Sequence, residues 1–420
     1  MGRALAFPTV ALASVLVLAG CSSNAPSSAT GGKPRGPHTD FGVTRTEIAL
    51  GALTDKSSSF SEIGSGVLQG EQLWIKETNA EGGICQRKIT LKIGDFQDNA
   101  VQAGNQYTAL EPKVLGFMQI VGSSANAALS QRMIDNETTV VALSKSSELL
   151  SNPYVIIPAT TYDVEMINGL SYLMEQGKIH DGDTIGHIWL DGEYGANGLR
   201  GAQYFARLHH LNLREAKVGP ESTMRDVVAS FAAKPRVKVI ALSTTPDQAV
   251  AAAAANQEMK LDVPMIGNSP VFTPRLLTGP AAGALNNLSV AASSVPFSSP
   301  VPKAQQVAEA YRQAGYREPA NSGVPYGYAI GRIWGQLLTR ACINGDLSRA
   351  GIQEALRQLT TITTDNLVAN LSFAKQGSPA ARETYVAVAD PVVPGGIREV
   401  RPLFASPDAQ NYVAPHQTGD

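Results

Sequence analysis

Short apolar runs alternate with longer segments of helical period along most of the chain. Residues 48–53, Ile-Ala-Leu-Gly-Ala-Leu, are the compact apolar run expected of a strand buried on both faces. Residues 64–80 then set Val67, Leu68, Trp74 and Ile75 on one helical face, and Gly82-Gly83 stops the helix. A strand over 89–93, a helix over 100–111, a strand over 115–121, a short helix over 125–134 and a strand over 139–143 follow. This βαβαβαβ order predicts a parallel, doubly wound sheet.

The order restarts beyond 151–162, a stretch rich in Pro, Thr and Ser. Helices over 163–176, 196–208, 225–233 and 246–259 alternate with strands over 184–190, 214–218, 237–243 and 264–267. The second block therefore has a sheet of its own. An extended stretch over 288–295, three helices over 303–314, 324–341 and 348–359, and β runs over 385–389 and 398–404 close the chain.

The ends of the chain are of another kind. Arg3 precedes an almost wholly apolar run over 4–19, shorter than the about 20 residues of a membrane-spanning helix, which fits a secretory signal. It ends in Leu18-Ala19-Gly20-Cys21, which resembles a bacterial lipobox. That resemblance implies cleavage after residue 20 and a lipid on Cys21, so that the mature protein is anchored to the cell membrane from outside the cytoplasm. The segment 22–38 has no apolar residue larger than proline, and 21–45 reads as a flexible tether. The polar stretch 406–420 reads as a frayed, disordered tail. What lies between is too long for one core and sufficient for two.

Composition narrows the chemistry. A net charge of −2 without blocks of like charge offers nucleic acid no basic stripe. With Cys21 acylated, Cys85 and Cys342 are left, and in an oxidising compartment they form a disulfide or stay as two buried thiols. No G-x-S-x-G elbow or G-x-x-x-x-G-K-[ST] loop occurs, and His209-His210 lacks the spaced partners of a metal site. The chain does not read as an enzyme, and no cofactor or metal is expected.

Four motifs stand in a telling order: Ser57-Ser-Ser-Phe60 before the first long helix, Asn79-Ala-Glu-Gly-Gly-Ile84 at its end, the turn Gly122-Ser-Ser124, and Trp189-Leu-Asp-Gly-Glu-Tyr194-Gly195. With them, about 46–403 resembles the type I periplasmic binding proteins, and among these the leucine/isoleucine/valine-binding branch. The resemblance implies an α/β fold of two doubly wound parallel-sheet lobes joined by a three-strand hinge. Lobe one would combine 46–159 with 290–359, and lobe two 160–289 with 360–405. A small solute would lie in the cleft at the C-terminal ends of both sheets, and lobe closure would trap it for delivery to the permease subunits of an ABC transporter. The alternative is a ligand-sensing lipoprotein of the same fold that signals to a membrane partner.

The same resemblance names the ligand contacts. Ser123 and Ser124, at a turn that opens a helix, would hold a carboxylate with hydroxyls and backbone N–H groups, or simply cap that helix. Ser144 and Ser147 would grip the same head group, and Lys145 between them either adds charge or is solvated. Tyr194 would stack on the ligand from lobe two. Asp191 and Glu193 beside it would meet an ammonium group or sit at the surface. Phe60 would be an apolar wall or a core residue, and Tyr326 a further contact. Ser269 stands where branched-chain amino-acid binders commonly carry glutamate. A buried ammonium needs a charged partner, so amides and organic acids join amino acids as candidate solutes.

Overall fold

The computed structural model describes residues 36–97 and 99–417, all but Gly36 within the unit Pro37–Asp420. Residues 1–35, which include the expected signal and Cys21, lie outside the described residues. The first sheet is built on β1 (Glu47–Thr54), buried at all seven positions from Ile48 to Thr54. From it the chain runs through α1 (Ser61–Ala80), β2 (Lys88–Asp95), α2 (Ala100–Leu110), β3 (Phe117–Ile120), α3 (Ser123–Asp135), β4 (Val140–Ala142) and β5 (Val155–Ile156). All five strands are parallel, in the order β2-β1-β3-β4-β5. One face packs Phe117 and Ile120 against Tyr107 of α2 and Leu129 of α3.

The second sheet follows α4 (Tyr162–Glu175). It takes β6 (Thr184–Leu190), α5 (Glu193–Leu208), β7 (Asn212–Val218), α6 (Met224–Phe231), β8 (Ile240–Ser243), α7 (Pro246–Glu258), β9 (Met265–Asn268) and β10 (Leu288–Ala292). The helices α8 (Pro302–Ala314), α9 (Gly323–Ile343) and α10 (Arg349–Gln358) then return to the first sheet, where Trp334, Leu337 and Ile352 join Leu50, Trp74 and Met118 in one core. The chain finally crosses back to add β11 (Thr384–Ala389) and β12 (Ile397–Phe404) antiparallel at the edge, giving the order β12-β11-β10-β9-β8-β6-β7. The backbone thus passes between the two sheets three times, near 157–161, 293–301 and 359–383. Two doubly wound lobes on a three-stranded hinge result.

Three boundaries differ from expectation. β10 pairs with β9 over Leu288–Ala291 and with β11 over Ser289–Ala292, so the second sheet keeps the chain to Ala292 where 289 was expected. Residues 38 and 39 do not belong to a tether: they pair with Asp346 and Leu347, and Val43 is buried. Nor are 406–417 a frayed tail. The helix α11 (Pro407–Asn411) is capped by Ser406, and Ala409, Tyr412 and Ala414 are buried against α4 and α5 of the second lobe. Sparse but well-spaced apolar side chains suffice when a neighbouring groove receives them. Cys85, beyond α1, and Cys342, in the last turn of α9, are joined by a disulfide with Cα atoms 6.0 Å apart.

Candidate functional site

Every loop of interest leaves the C-terminal end of a parallel strand, where an open α/β sheet exposes chain to a cleft. Phe60 precedes α1 after β1, Ser123 begins α3 after β3, and Ser144 follows β4. From the other lobe Tyr194 opens α5 after β6, Ser269 follows β9 and Ser293 follows β10. The turn before α3 depends on Gly122, whose φ of +83° is costly for any residue with a Cβ. Across the cleft the rings of Phe60 and Tyr194 meet edge to face with centroids 6.0 Å apart, and Tyr162 meets Tyr194 at 4.7 Å.

The electrostatic centre is Lys145. It is 4 % exposed, and its ammonium donates to the Glu165 carboxylate, to Ser269 Oγ and, at 2.8 Å, to Ser293 Oγ. Burial pushes the Lys145 pKa down, and the facing Glu165 carboxylate opposes that fall. Glu165 is itself fully buried. It also accepts from Asn268 Nδ2 at 3.2 Å, from the Ser269 backbone N–H at 3.2 Å and from Ser269 Oγ at 2.9 Å. Lys145 comes from the first lobe and Glu165 from α4 of the second, so the pair bridges the lobes beside the hinge.

A cavity of about 90 Å³ is lined on one part of its wall by Lys145, Tyr162, Ser269 and Ser293. Its other walls are mainly apolar: Ile63 and Val67 of α1, Leu143, Phe272, Val290 and Ile397. Two hydroxyls at this cavity have hydrogen-bonding capacity to spare. Tyr326 Oη is buried and has no hydrogen-bond partner among the described residues, and burial pushes its pKa well above the ordinary tyrosine value. Ser293 Oγ accepts from Lys145, which leaves its own proton to donate. A mainly apolar cavity with a few buried polar groups on its wall suits an amphipathic ligand better than a compact zwitterion.

Comparison with known proteins agrees with this architecture. Residues 47–394 match the profile of the periplasmic binding proteins. The chain belongs to that family. A solved relative from Thermomonospora curvata, described as a fatty acid ABC transporter substrate-binding protein, is 33 % identical over 91 % of this chain and 98 % of its own, with a TM-score of 0.87. A branched chain amino acid ABC transporter protein from Thermus thermophilus, solved with valine, shares the fold at 15 % identity, with 88 % of this chain and 99 % of that one covered and a TM-score of 0.76. The Leu/Ile/Val-binding protein homolog 8 of Brucella suis biovar 1 (strain 1330) is 30 % identical over 135 residues. That stretch is 32 % of this chain and 30 % of the length of the Brucella protein.

Within this periplasmic binding protein the expected contacts divide into groups. Ser123 and Ser144 lie together, Oγ to Oγ 2.8 Å, close to the Phe60–Tyr194–Tyr162 cluster. Ser269 and Tyr326 line the apolar cavity with Lys145. Ser124 points to solvent. Ser147 faces the second lobe, donating to Asp163 Oδ2 at 2.7 Å and accepting from Asn197 at 2.6 Å. Asp191 is at the surface, 3.5 Å from Lys217. Sequence reasoning missed Glu165 and Ser293. Glu165 reads as an ordinary acidic residue in the first turn of a helix, favoured there by the dipole, and Ser293 as one serine in a polar loop. Lys145 belongs to the site and is not a solvated lysine.

Proposed function

We propose that this protein is the extracytoplasmic substrate-binding component of an ABC importer, anchored through Cys21, and that it closes its lobes around an alkyl carboxylic acid of the fatty-acid class. The observation that carries the reading is Lys145, buried on the wall of a cavity whose remaining lining is mainly apolar. The carboxylate would take hydrogen bonds from the Ser293 and Tyr326 hydroxyls beside the Lys145 ammonium, whose own three N–H groups serve Glu165, Ser269 and Ser293, while the alkyl chain lies along Ile63, Val67 and Phe272. Burying each methylene contributes about 0.8 kcal/mol, so a chain of several carbons supplies most of the affinity. The 33 % identity to a protein described as binding fatty acids supports the same class.

An α-amino acid is disfavoured on electrostatic grounds. Its ammonium would need an unneutralised acceptor, and Glu165, the acidic group beside Ser269, is already paired with Lys145. The test is titration of the delipidated soluble domain with straight-chain acids from octanoate to stearate and, separately, with leucine and valine. Saturable binding of the acids, lost in Lys145→Met, is expected. Binding of leucine or valine with no response to any of the acids would overturn the reading.

A further inference from the structure

The cavity lined by Lys145 shares a partition with a neighbouring space. Ile63 and Val67 of α1 face the cavity, whereas Glu62, Ser65 and Gly66 of the same helix face a second, more open recess of about 540 Å³. Two residues, Pro274 and Asn321, line both spaces. At Gly66 the helix offers no side chain, and Asn321 occupies that place: a Cβ at Gly66 would lie 2.2 Å from Asn321 Oδ1. Asn321 is held rigidly. It is 5 % exposed, donates through Nδ2 to the Glu62 carbonyl at 3.0 Å, and accepts through Oδ1 from the Gly323 N–H at 2.8 Å.

The two sides of this partition differ in chemistry. The inner cavity is mainly apolar, whereas the outer recess carries Lys56, Glu62, Arg275 and Glu318. An alkyl chain gains by burial only on the inner side. We propose that Asn321 is the chain-length stop of the ligand cavity, setting how many methylenes fit between the Lys145 head-group site and the partition. The inference rests on the alkyl-acid reading of that cavity. An amide is suited to this place because both of its polar ends are bound to backbone, so its side presents a fixed wall that does not yield to a longer chain.

The test is affinity for an even-numbered series of straight-chain acids, measured by titration calorimetry on the full soluble domain. The wild type should show an optimum length and a sharp loss beyond it. Asn321→Ala should move the optimum to longer chains. With about 0.8 kcal/mol for each methylene, an acid two carbons longer should gain about tenfold relative to the wild-type optimum. Should that variant fold poorly, Asn321→Ser keeps an acceptor for the Gly323 N–H while shortening the wall, and the same shift is expected. Arg275→Ala, altered only on the outer side, should leave the optimum where it is. Acid binding with an unchanged optimum in both Asn321 variants overturns the stop, as does an equal shift in Arg275→Ala. Absence of acid binding by the wild type overturns the alkyl-acid reading itself, and the stop with it.

Discussion

The Lys145 ammonium and the Glu165 carboxylate form a buried ion pair between the loop after β4 and the first turn of α4, with side chains 6 % and 0 % exposed. Taking two charges out of water costs several kcal/mol for each ion, and only good geometry with additional hydrogen bonds offsets it. Asn268, Ser269 and Ser293 supply those bonds. The pair is nearly neutral as a unit, so an incoming carboxylate finds Lys145 already shared.

Glu165→Gln should separate stability from affinity. The amide keeps the shape and leaves Lys145 unpaired, so the free protein should lose about 3–5 kcal/mol. A carboxylate ligand should then restore the missing charge. A lower melting temperature without ligand, together with a larger ligand-induced rise than in the wild type, is the expected result in thermal denaturation with a straight-chain acid.

Alkaline pH should weaken binding early. Burial lowers the Lys145 pKa from 10.5, so the ammonium is lost below the ordinary lysine range, and with it the attraction for a carboxylate. The sign for stability is opposite. Between the depressed value and 10.5 the unfolded chain holds more protons, so this residue's contribution favours folding as pH rises. Calorimetric titrations across that window should show falling affinity in the wild type and a flatter profile in Lys145→Arg, whose guanidinium does not titrate there.

The C-terminal segment should be needed for stability. Tyr412 Oη donates to Asp163 Oδ2 at 2.9 Å in a site where Ser147 and Asn197 also converge on that carboxylate. Tyr412→Phe removes one donor from a fully buried anion and should cost about 1–3 kcal/mol in urea denaturation. Ligand affinity should change little, because Tyr412 lies outside the cavity.

Loss of the Cys85–Cys342 bond should destabilise without touching the ligand. The two positions are 257 residues apart; the chain-entropy view puts closing so long a loop at about 5–6 kcal/mol, and removing a native disulfide typically costs about 2–5 kcal/mol. The double variant Cys85→Ser/Cys342→Ser should unfold at lower urea concentration than the wild type while binding the same acid with equal affinity.

Local pattern determined a large part of this protein. The alternation of apolar runs and amphipathic helices, read residue by residue, corresponds to the strands Glu47–Thr54, Thr184–Leu190 and Leu288–Ala292 and to the helices between them. Periodicity suffices because each element must bury one face or both wherever it ends up. That Phe60, Ser123, Ser144, Tyr194 and Ser269 each stand just beyond a parallel strand also follows from the order of elements, whereas their sharing of one cleft is what the family resemblance implied.

Only the tertiary structure decided the chemistry of that cleft. Lys145 in the sequence is one cation among serines. Its partners Glu165, Ser269 and Ser293 lie 20, 124 and 148 positions away and arrive from other elements. Its burial, its depressed pKa and its role as the head of an apolar cavity belong to that encounter. Tyr412 shows the same limit, because a polar stretch with a few apolar residues looks frayed until a groove on α4 and α5 accepts them. Amphipathic order is a property of neighbours along the chain; desolvation is a property of neighbours in space.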